Sequence, residues 1–170
     1  TNDKKVYVDG ELDNEKDAYG DGVALGTGVT RYGFIGDGSE ASSFDGGRND
    51  IFFEGSIDEV RFYDKALSQS EIQDLYEKGL ARMEQPDRTG MVGYWSLDDG
   101  SGSVAGDFSD NNNDGTIYGA TWTDGEIGGA LDFDGSDDEV VTNTTVFNPN
   151  NAFTVEGWFY PTGGRGGVSK

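Results

Sequence analysis

The chain has 170 residues, enough for one sizeable β-sandwich or for two small domains. Its 33 Asp and Glu residues outnumber 12 Lys and Arg residues, and the formal net charge of −21 disfavours binding to nucleic acid duplexes or anionic membranes. The sequence contains no histidine and no cysteine, which excludes a Ser-His-Asp triad, histidine-bound zinc and disulfide bonds.

The first elements of the chain have strand patterns separated by clusters of Gly and Asp. "KKVYVDGEL" (4–12) contains Asp9-Gly10, a dipeptide typical of a two-residue hairpin turn. "YGFIGDG" (32–38) and "IFFEGSIDEVRFY" (51–63) also have strand composition. These segments predict at least one hairpin and two further strands.

One helix is predicted after these strands. Ser68 and Glu71 have the spacing of a capping box, in which each side chain binds the backbone N–H of the other residue. Residues 72–76 carry an apolar stripe, and Gly79 is a candidate for the helix end. A helix of about three turns is too short to be stable alone, so we expect its stripe to pack on a sheet.

The second half of the chain returns to strand patterns after a polar connection. "RMEQPDRTG" (82–90) contains a proline and no apolar run, which is typical of a linker. "ALDFDGSDDEVVT" (130–142) reads as two short strands around a turn, and "AFTVEGWFYP" (152–161) as a strand closed by proline. Many short strands with Gly-rich turns predict an all-β sandwich or barrel.

Asp58 is the first candidate site residue. In "SIDEVRF", strand alternation places Asp58 on one face with Val60 and Phe62, and Glu59 and Arg61 on the other. A carboxylate on an apolar face needs hydrogen bonds, a cation or a raised pKa. Two interpretations therefore remain open: a calcium ligand at the rim of the sandwich, or an acceptor of backbone N–H groups from a neighbouring loop.

The loop "DFSDNNNDG" (107–115) is the second candidate. Its possible oxygen ligands are Asp107, Asp110, Asn111, Asn113 and Asp114. Calcium accepts about six to eight hard oxygen ligands, so a turning loop with this composition suits it. The alternative is a solvated turn in which these side chains bind nearby backbone groups.

Two further sites are predicted at single residues. Trp95 and Trp158 lie inside strand patterns and are expected in the core, whereas Trp122 lies near a turn and is the better candidate for binding a ligand such as a sugar ring. Asn143 opens an Asn-Thr-Thr sequence, which predicts N-glycosylation if the protein is exported.

Eight short motifs together identify a known pattern. Four of them, including "YW-x-L-D-x-G-S-G" and "GGAL-x-F-D-G", lie at 94–102, 107–115, 128–135 and 153–158. The other four, including "V-Y-V-D-G" and "G-x-I-D-E-V-R-x-Y", lie at 6–10, 55–63, 66–68 and 71–76. This set resembles laminin G-like, concanavalin A-like jelly-roll domains of the type found in microbial surface proteins. The resemblance implies an all-β, concanavalin A-like jelly-roll β-sandwich with one short helix.

The two halves of this pattern occur in permuted order. Residues 1–80 resemble the C-terminal half of the domain, 81–91 form a linker, and 92–170 resemble the N-terminal half. Two explanations are open: a window across two tandem modules, or a circular permutant whose halves form one sandwich. In similar domains the first and last strands are adjacent, so we expect "GYWSL" (93–97) to pair with "IDEVRFY" (57–63) in an isolated unit.

The resemblance also implies a structural calcium ion. In similar domains the loop that corresponds to 107–115 lies near the "I-D-E-V" strand and often holds calcium, which applies best to Asp107 and Asn111. Asp58, Asp110 and Asp114 complete the predicted set of ligands, although the family often has glycine at the position of Asp110.

These observations predict a non-enzymatic adhesion or assembly module of an extracellular, repeat-containing surface protein or filament. Its expected partners are neighbouring copies or tandem modules, with glycans as a further class. The acidity has two compatible explanations, adaptation to high salt or a calcium-rich extracellular module. The alternative function is a carbohydrate-binding module of a secreted glycoside hydrolase. Catalysis itself is not expected. The two carboxyl groups of a glycosidase must face each other about 5–10 Å apart, whereas Asp58 and Glu59 are adjacent in the strand pattern and point in opposite directions.

Overall fold

The computed structural model describes residues 4–16, 34–37, 52–81, 88–142 and 152–163. The elements are β1 (Lys4–Val8), β2 (Glu11–Lys16), β3 (Phe34–Ile35), β4 (Glu54–Tyr63), α1 (Gln69–Ala81), β5 (Met91–Trp95), β6 (Val104–Ala105), β7 (Gly115–Tyr118), β8 (Thr121–Asp124), β9 (Gly129–Asp134), β10 (Glu139–Thr142) and β11 (Thr154–Gly163). Strands dominate and one short helix is present in these residues, which confirms the predicted all-β class.

Two antiparallel sheets pack face to face, and a separate hairpin lies beside them. The four-stranded sheet has the order β3-β10-β7-β6, and the five-stranded sheet has the order β11-β4-β9-β8 with β5 also paired to β4. The core between them includes Ile35, Ala105, Ile117 and Val140 from the smaller sheet and Ile57, Val60, Trp95, Leu131 and Phe133 from the larger one. This shared core, with its side chains almost completely buried, defines a β-sandwich.

The separate hairpin is formed by β1 and β2. Asp9 and Gly10 both have positive φ angles, 53° and 75°, as a type I′ turn requires. The predicted hairpin dipeptide is therefore confirmed. The turn also meets α1, because the amide of Gln69 donates to the Gly10 carbonyl O at 2.8 Å.

Strand β4 joins the two halves of the sequence in one sheet. One side of β4 pairs with β11, and the other side pairs with β9 over residues 54–57 and with β5 over residues 60–63. Val60 lies opposite Trp95, so the segments 57–63 and 93–97 do pair as expected for an isolated unit. Whether the chain derives from a tandem array or from a permuted domain stays a prediction.

A β-bulge interrupts the alternation of β4. The register with β11 runs from Arg61 opposite Glu156 to Asp58 opposite Trp158, so β4 has one extra residue there, and Glu59 has a φ of 55°. Glu156 and Trp158 are two residues apart and share a face, which puts Arg61 and Asp58 on that same face. The prediction that Asp58 shares a face with Val60 and Phe62 was therefore wrong, because strict alternation does not pass through a bulge.

The helix begins with the predicted capping box. The Ser68 backbone N–H donates to Glu71 Oε2 at 2.7 Å, and the Glu71 N–H donates to Ser68 Oγ at 3.3 Å. The helix continues to Ala81, so the predicted end at Gly79 was wrong. Tyr76 packs against Trp158 of β11 with ring centroids 5.5 Å apart, which fixes the helix to the outer face of the larger sheet.

Two further findings concern the predicted linker and membrane-spanning helices. Residues 82–87, the centre of the predicted linker, lie outside the described residues. Within the described residues, no helix has the length and apolar character needed to cross a membrane.

Candidate functional site

The candidate site is centred on Asp58, where β5 ends and β9 begins along the same side of β4. Its side chain is only 3% exposed, and its Oδ2 accepts a hydrogen bond from the Ile127 N–H at 2.9 Å. Its Oδ1 is also buried and has no hydrogen-bond partner in the described part of the chain. A side chain at Gly125 would place its Cβ 2.6 Å from Asp58 Oδ2, so the loop approaches the carboxylate this closely only because residue 125 is glycine.

The surroundings of Asp58 disfavour its charge. The pKa of Asp58 is raised to about 7, mainly by burial and with smaller contributions from the carboxylates of Glu59 and Asp98, while hydrogen bonds from the Ile127 and Glu59 backbones lower it. Asp98 is itself held in place by the Gly129 N–H, which donates to its Oδ1 at 2.6 Å. The cost of burying the Asp58 charge can therefore be relieved in two ways: the carboxylate can take up a proton and become neutral, or it can bind a cation at Oδ1.

Arg61 organises a second cluster on the same face of β4. Its Nη1 donates to Glu156 Oε1 at 2.7 Å, its Nη2 donates to Glu59 Oε2, and its guanidinium lies 4.4 Å from the ring centroid of Tyr94. The Tyr94 hydroxyl also donates to Glu59 Oε2 at 2.9 Å. Burial raises the pKa of Glu59 and Glu156 although Arg61 lowers both, and burial raises the pKa of Tyr94 to about 12. The carboxylates of Glu59 and Glu156 both bind Arg61, and we interpret the three side chains as a structural ion cluster.

The Asp107 carboxylate organises the predicted calcium loop. Its Oδ1 accepts from the Tyr94 N–H at 2.9 Å and from the Ser109 N–H at 2.8 Å. Its Oδ2 accepts from Ser109 Oγ at 2.8 Å and from the Asn113 N–H at 2.7 Å. These four bonds use the acceptor sites of an ionised carboxylate, so Asp107 ties the loop to β5 in the manner of the alternative interpretation, a side-chain-stabilised turn.

The other predicted ligands of the loop also have protein partners. The Asn111 side-chain amide donates to a carbonyl O of β5 at 3.4 Å, and Asp114 Oδ1 accepts from the Asp107 N–H at 2.9 Å. Asp110 is exposed and its carboxylate lies 3.7 Å from Arg88 Nη1. No three of the predicted carboxylates have oxygens within 4.8 Å of one another in the described residues, so these side chains are not gathered around one point. Calcium binding by this set stays a prediction.

A different acidic cluster was missed in the sequence. Carboxylate oxygens of Asp134, Asp137 and Asp138 lie within 4.8 Å of one another in the turn between β9 and β10. Asp138 is buried, its Oδ2 accepts from the Asp134 N–H at 2.8 Å, and burial raises its pKa. The run "DFDGSDDE" carried this signal, but the backbone hydrogen bond accounts for the buried carboxylate as part of the turn.

The aromatic candidates occupy three different environments. Trp95 is fully buried in the core, as expected, and its Nε1 donates to the Asn113 carbonyl O at 3.2 Å. Trp122 packs against the core, and its Nε1 donates to the Gly102 carbonyl O at 2.9 Å. Trp158 lies on the outer face of the larger sheet rather than in the core, because it shares a face of β11 with Glu156 and lies opposite Asp58. Asn143, the predicted glycosylation site, lies outside the described residues.

A family model matches the first part of the chain. Residues 1–73 match a laminin G family model with the description "Concanavalin A-like lectin/glucanases superfamily", a group of lectin-like modules that are typically extracellular. No curated protein and no solved structure matches the chain. The matched segment extends from β1 into the first turns of α1 and includes β4, the strand that organises the site. The predicted resemblance is therefore confirmed, and residues 1–73 carry the pattern of the laminin G-like, concanavalin A-like superfamily.

Proposed function

We propose that this chain is a non-enzymatic, laminin G-like module of an extracellular surface protein, and that it assembles with neighbouring copies or tandem modules. The observation that carries this proposal is the exposure of apolar side chains on both faces of β11, an end strand of its sheet among the described strands: Val155 is 43% exposed and Phe159 45% on one face, and Tyr160 is 72% exposed on the other. Exposed apolar side chains on a strand at a sheet edge are typical of a protein interaction surface.

The contacts and the burial of three acidic side chains support the proposal that the chain is not an enzyme. Glu59 and Glu156 are not available as a catalytic acid pair, because Arg61 binds both of them. Asp58 is buried beneath the loop of Ile127, where a substrate would not reach it. A general acid and base must contact the reacting bond, and these carboxylates contact other side chains or backbone instead.

A carbohydrate-binding module is the second candidate. Tyr118 is 53% exposed on β7, and Tyr160 projects from β11. Exposed aromatic rings can cover the apolar face of a sugar. Trp122, the residue predicted for this role, is the weaker candidate because its ring packs on the core and its N–H has a protein acceptor.

Calcium binding and adaptation to high salt belong to the same proposal. The buried Oδ1 of Asp58, which has no hydrogen-bond partner among the described residues, supports a calcium ion at this carboxylate. The formal net charge of −21 supports a protein that folds best where salt screens the repulsion between its acidic groups.

Bead aggregation tests assembly against carbohydrate binding. Beads coated with the chain should cluster with one another in multimolar potassium chloride, whereas beads coated with an unrelated acidic protein should not. A glycan array probed with the same chain tests the second candidate. Clustering without glycan binding supports the assembly module, and glycan binding by beads that stay dispersed would replace it with the carbohydrate-binding module.

A further inference from the structure

We propose that β11 of one copy pairs antiparallel with β11 of a second copy, about a two-fold axis at Gly157. The larger sheet would then continue from one subunit into the other. This inference names the partner and the register of the proposed assembly function, and therefore rests on it. Its grounds are the charge, the regularity and the residue order of β11.

Charge favours this strand as the place where two copies meet. Residues 152–163 contain one charged side chain, Glu156, and Arg61 of the same subunit binds it at 2.7 Å. The chain as a whole has a formal net charge of −21, so most approaches between two copies bring like charges together. A surface without unpaired charge avoids this repulsion.

The backbone of β11 suits strand addition over a defined length. Among the described strands, β11 pairs with β4 and forms one end of its sheet. The extra residue of the bulge near Asp58 belongs to β4, so residues 154–160 of β11 continue without an insertion. Pro161 has no backbone N–H, and a register shift follows between Pro161 and Gly163. These features limit the pairing to about seven residues.

The order of residues in this segment is complementary to itself. Antiparallel pairing about Gly157 places Val155 opposite Phe159 of the partner subunit, and the two-fold axis repeats this apolar pair. Both side chains belong to the face that β11 shares with the core, since Val155 lies opposite Phe62 of β4 and Phe159 lies opposite Ile57. Glu156 then lies opposite Trp158 of the partner subunit, so the two glutamates do not face each other.

This contact closes on itself. The same strand is used by both copies, which makes the interface isologous and the product a dimer. The filament that is one of the predicted forms of assembly would need a second interface. The dimer would instead link two surface proteins side by side through one module of each.

Cysteine cross-linking tests the register, because the chain has no cysteine of its own. In the proposed dimer V155C of one copy faces F159C of the other, and opposite residues have Cβ atoms about 4.5–5.5 Å apart. Two copies of V155C would place their cysteines four residues out of register, about 13 Å apart, which a disulfide cannot span. An oxidised mixture of V155C and F159C should therefore form a covalent dimer, whereas each variant alone should not.

A second pair of variants tests the same contact without a covalent bond. V155K/F159K places lysines opposite lysines, and V155K/F159E places a lysine opposite a glutamate, on the same exposed positions. Sedimentation at a potassium chloride concentration at which the parent chain dimerises should show that the first variant is monomeric and that the second still dimerises. Circular dichroism controls for loss of the fold in both.

The outcomes separate this inference from the proposed function. Cross-linking by the mixture alone, with dimers kept by V155K/F159E, supports the pairing. Equal cross-linking by each single variant, or no cross-linking, would overturn it. Beads that still cluster in that case would leave the assembly function standing through another surface, whereas beads that stay dispersed would remove both.

Discussion

Replacing Asp58 by Asn should stabilise the protein at neutral and alkaline pH. Burial raises the pKa of Asp58 from 3.8 to about 7, and Glu59 and Asp98 contribute in the same direction. The folded protein therefore binds the Asp58 proton more tightly than the unfolded chain does. The stability that this proton contributes is fully present below about pH 3.8 and is lost as the pH rises through about 7.

The size of the effect follows from the pKa difference. About three pKa units, at about 1.36 kcal/mol per unit, amount to roughly 4 kcal/mol of unfolding free energy. In D58N the amide oxygen can still accept the Ile127 N–H, but no charge is buried. D58N should therefore match the parent protein in acid and exceed it by up to roughly 4 kcal/mol at about pH 8.

Urea unfolding followed by tryptophan fluorescence measures this difference, because Trp95 is fully buried in the folded protein. The titration is run in multimolar potassium chloride with EDTA, so that neither general charge repulsion nor a divalent ion obscures the comparison. The repulsion between other acidic groups is common to both proteins and cancels. A D58N variant that is less stable than its parent at alkaline pH, or a difference that does not change with pH, would refute the reasoning.

Three further predictions use the same stability measurements. Calcium chloride at neutral pH should raise the melting temperature of the parent protein and not that of D58N, because the ion would bind Asp58 Oδ1; an equal rise in both variants would argue against this site. R61M should lose about 3–5 kcal/mol of unfolding free energy, because Glu59 and Glu156 remain in place without their partner, and a loss below about 1 kcal/mol would show that the cluster is not structural. Potassium chloride should raise the melting temperature of the parent protein steeply, since screening relieves the repulsion of its −21 charge, and a flat profile would count against adaptation to salt.

The features that sequence reasoning predicted are those fixed by a few consecutive residues. The Asp9-Gly10 turn and the Ser68–Glu71 capping box depend on local backbone geometry and side-chain reach, and both form. The all-β class follows from repeated strand patterns and was confirmed with the family resemblance. Local rules were sufficient for the turn and the capping box because each of these two features is decided within about four residues, whereas the pairing of 57–63 with 93–97 was predicted from the family resemblance.

The chemistry of the site was not predictable in the same way. The bulge at Glu59 forms where β5, β9 and β11 all pair with β4. The residue pattern of β4 alone does not predict it. The bulge reverses the face of Asp58 and aligns that residue with Arg61. The four bonds to Asp107 likewise come from β5 as well as from its own loop. Contacts between segments distant in sequence therefore decide that Asp107 accepts four hydrogen bonds and that Asp58 Oδ1 accepts none among the described residues.

The distribution of charge explains how so acidic a chain could associate with itself. Glu59 and Glu156 are paired with Arg61, the exposed charges of the chain repel those of a second copy, and residues 152–163 add only Glu156, which is already bound. Salt at multimolar concentration reduces the screening length to a few ångströms, about 3 Å at 1 M, so repulsion between two copies fades while the apolar contact of Val155 and Phe159 does not. An interface held by ion pairs would weaken under these conditions. Dimerisation through β11 should therefore tighten with salt, and the same salt that stabilises the fold would promote the assembly.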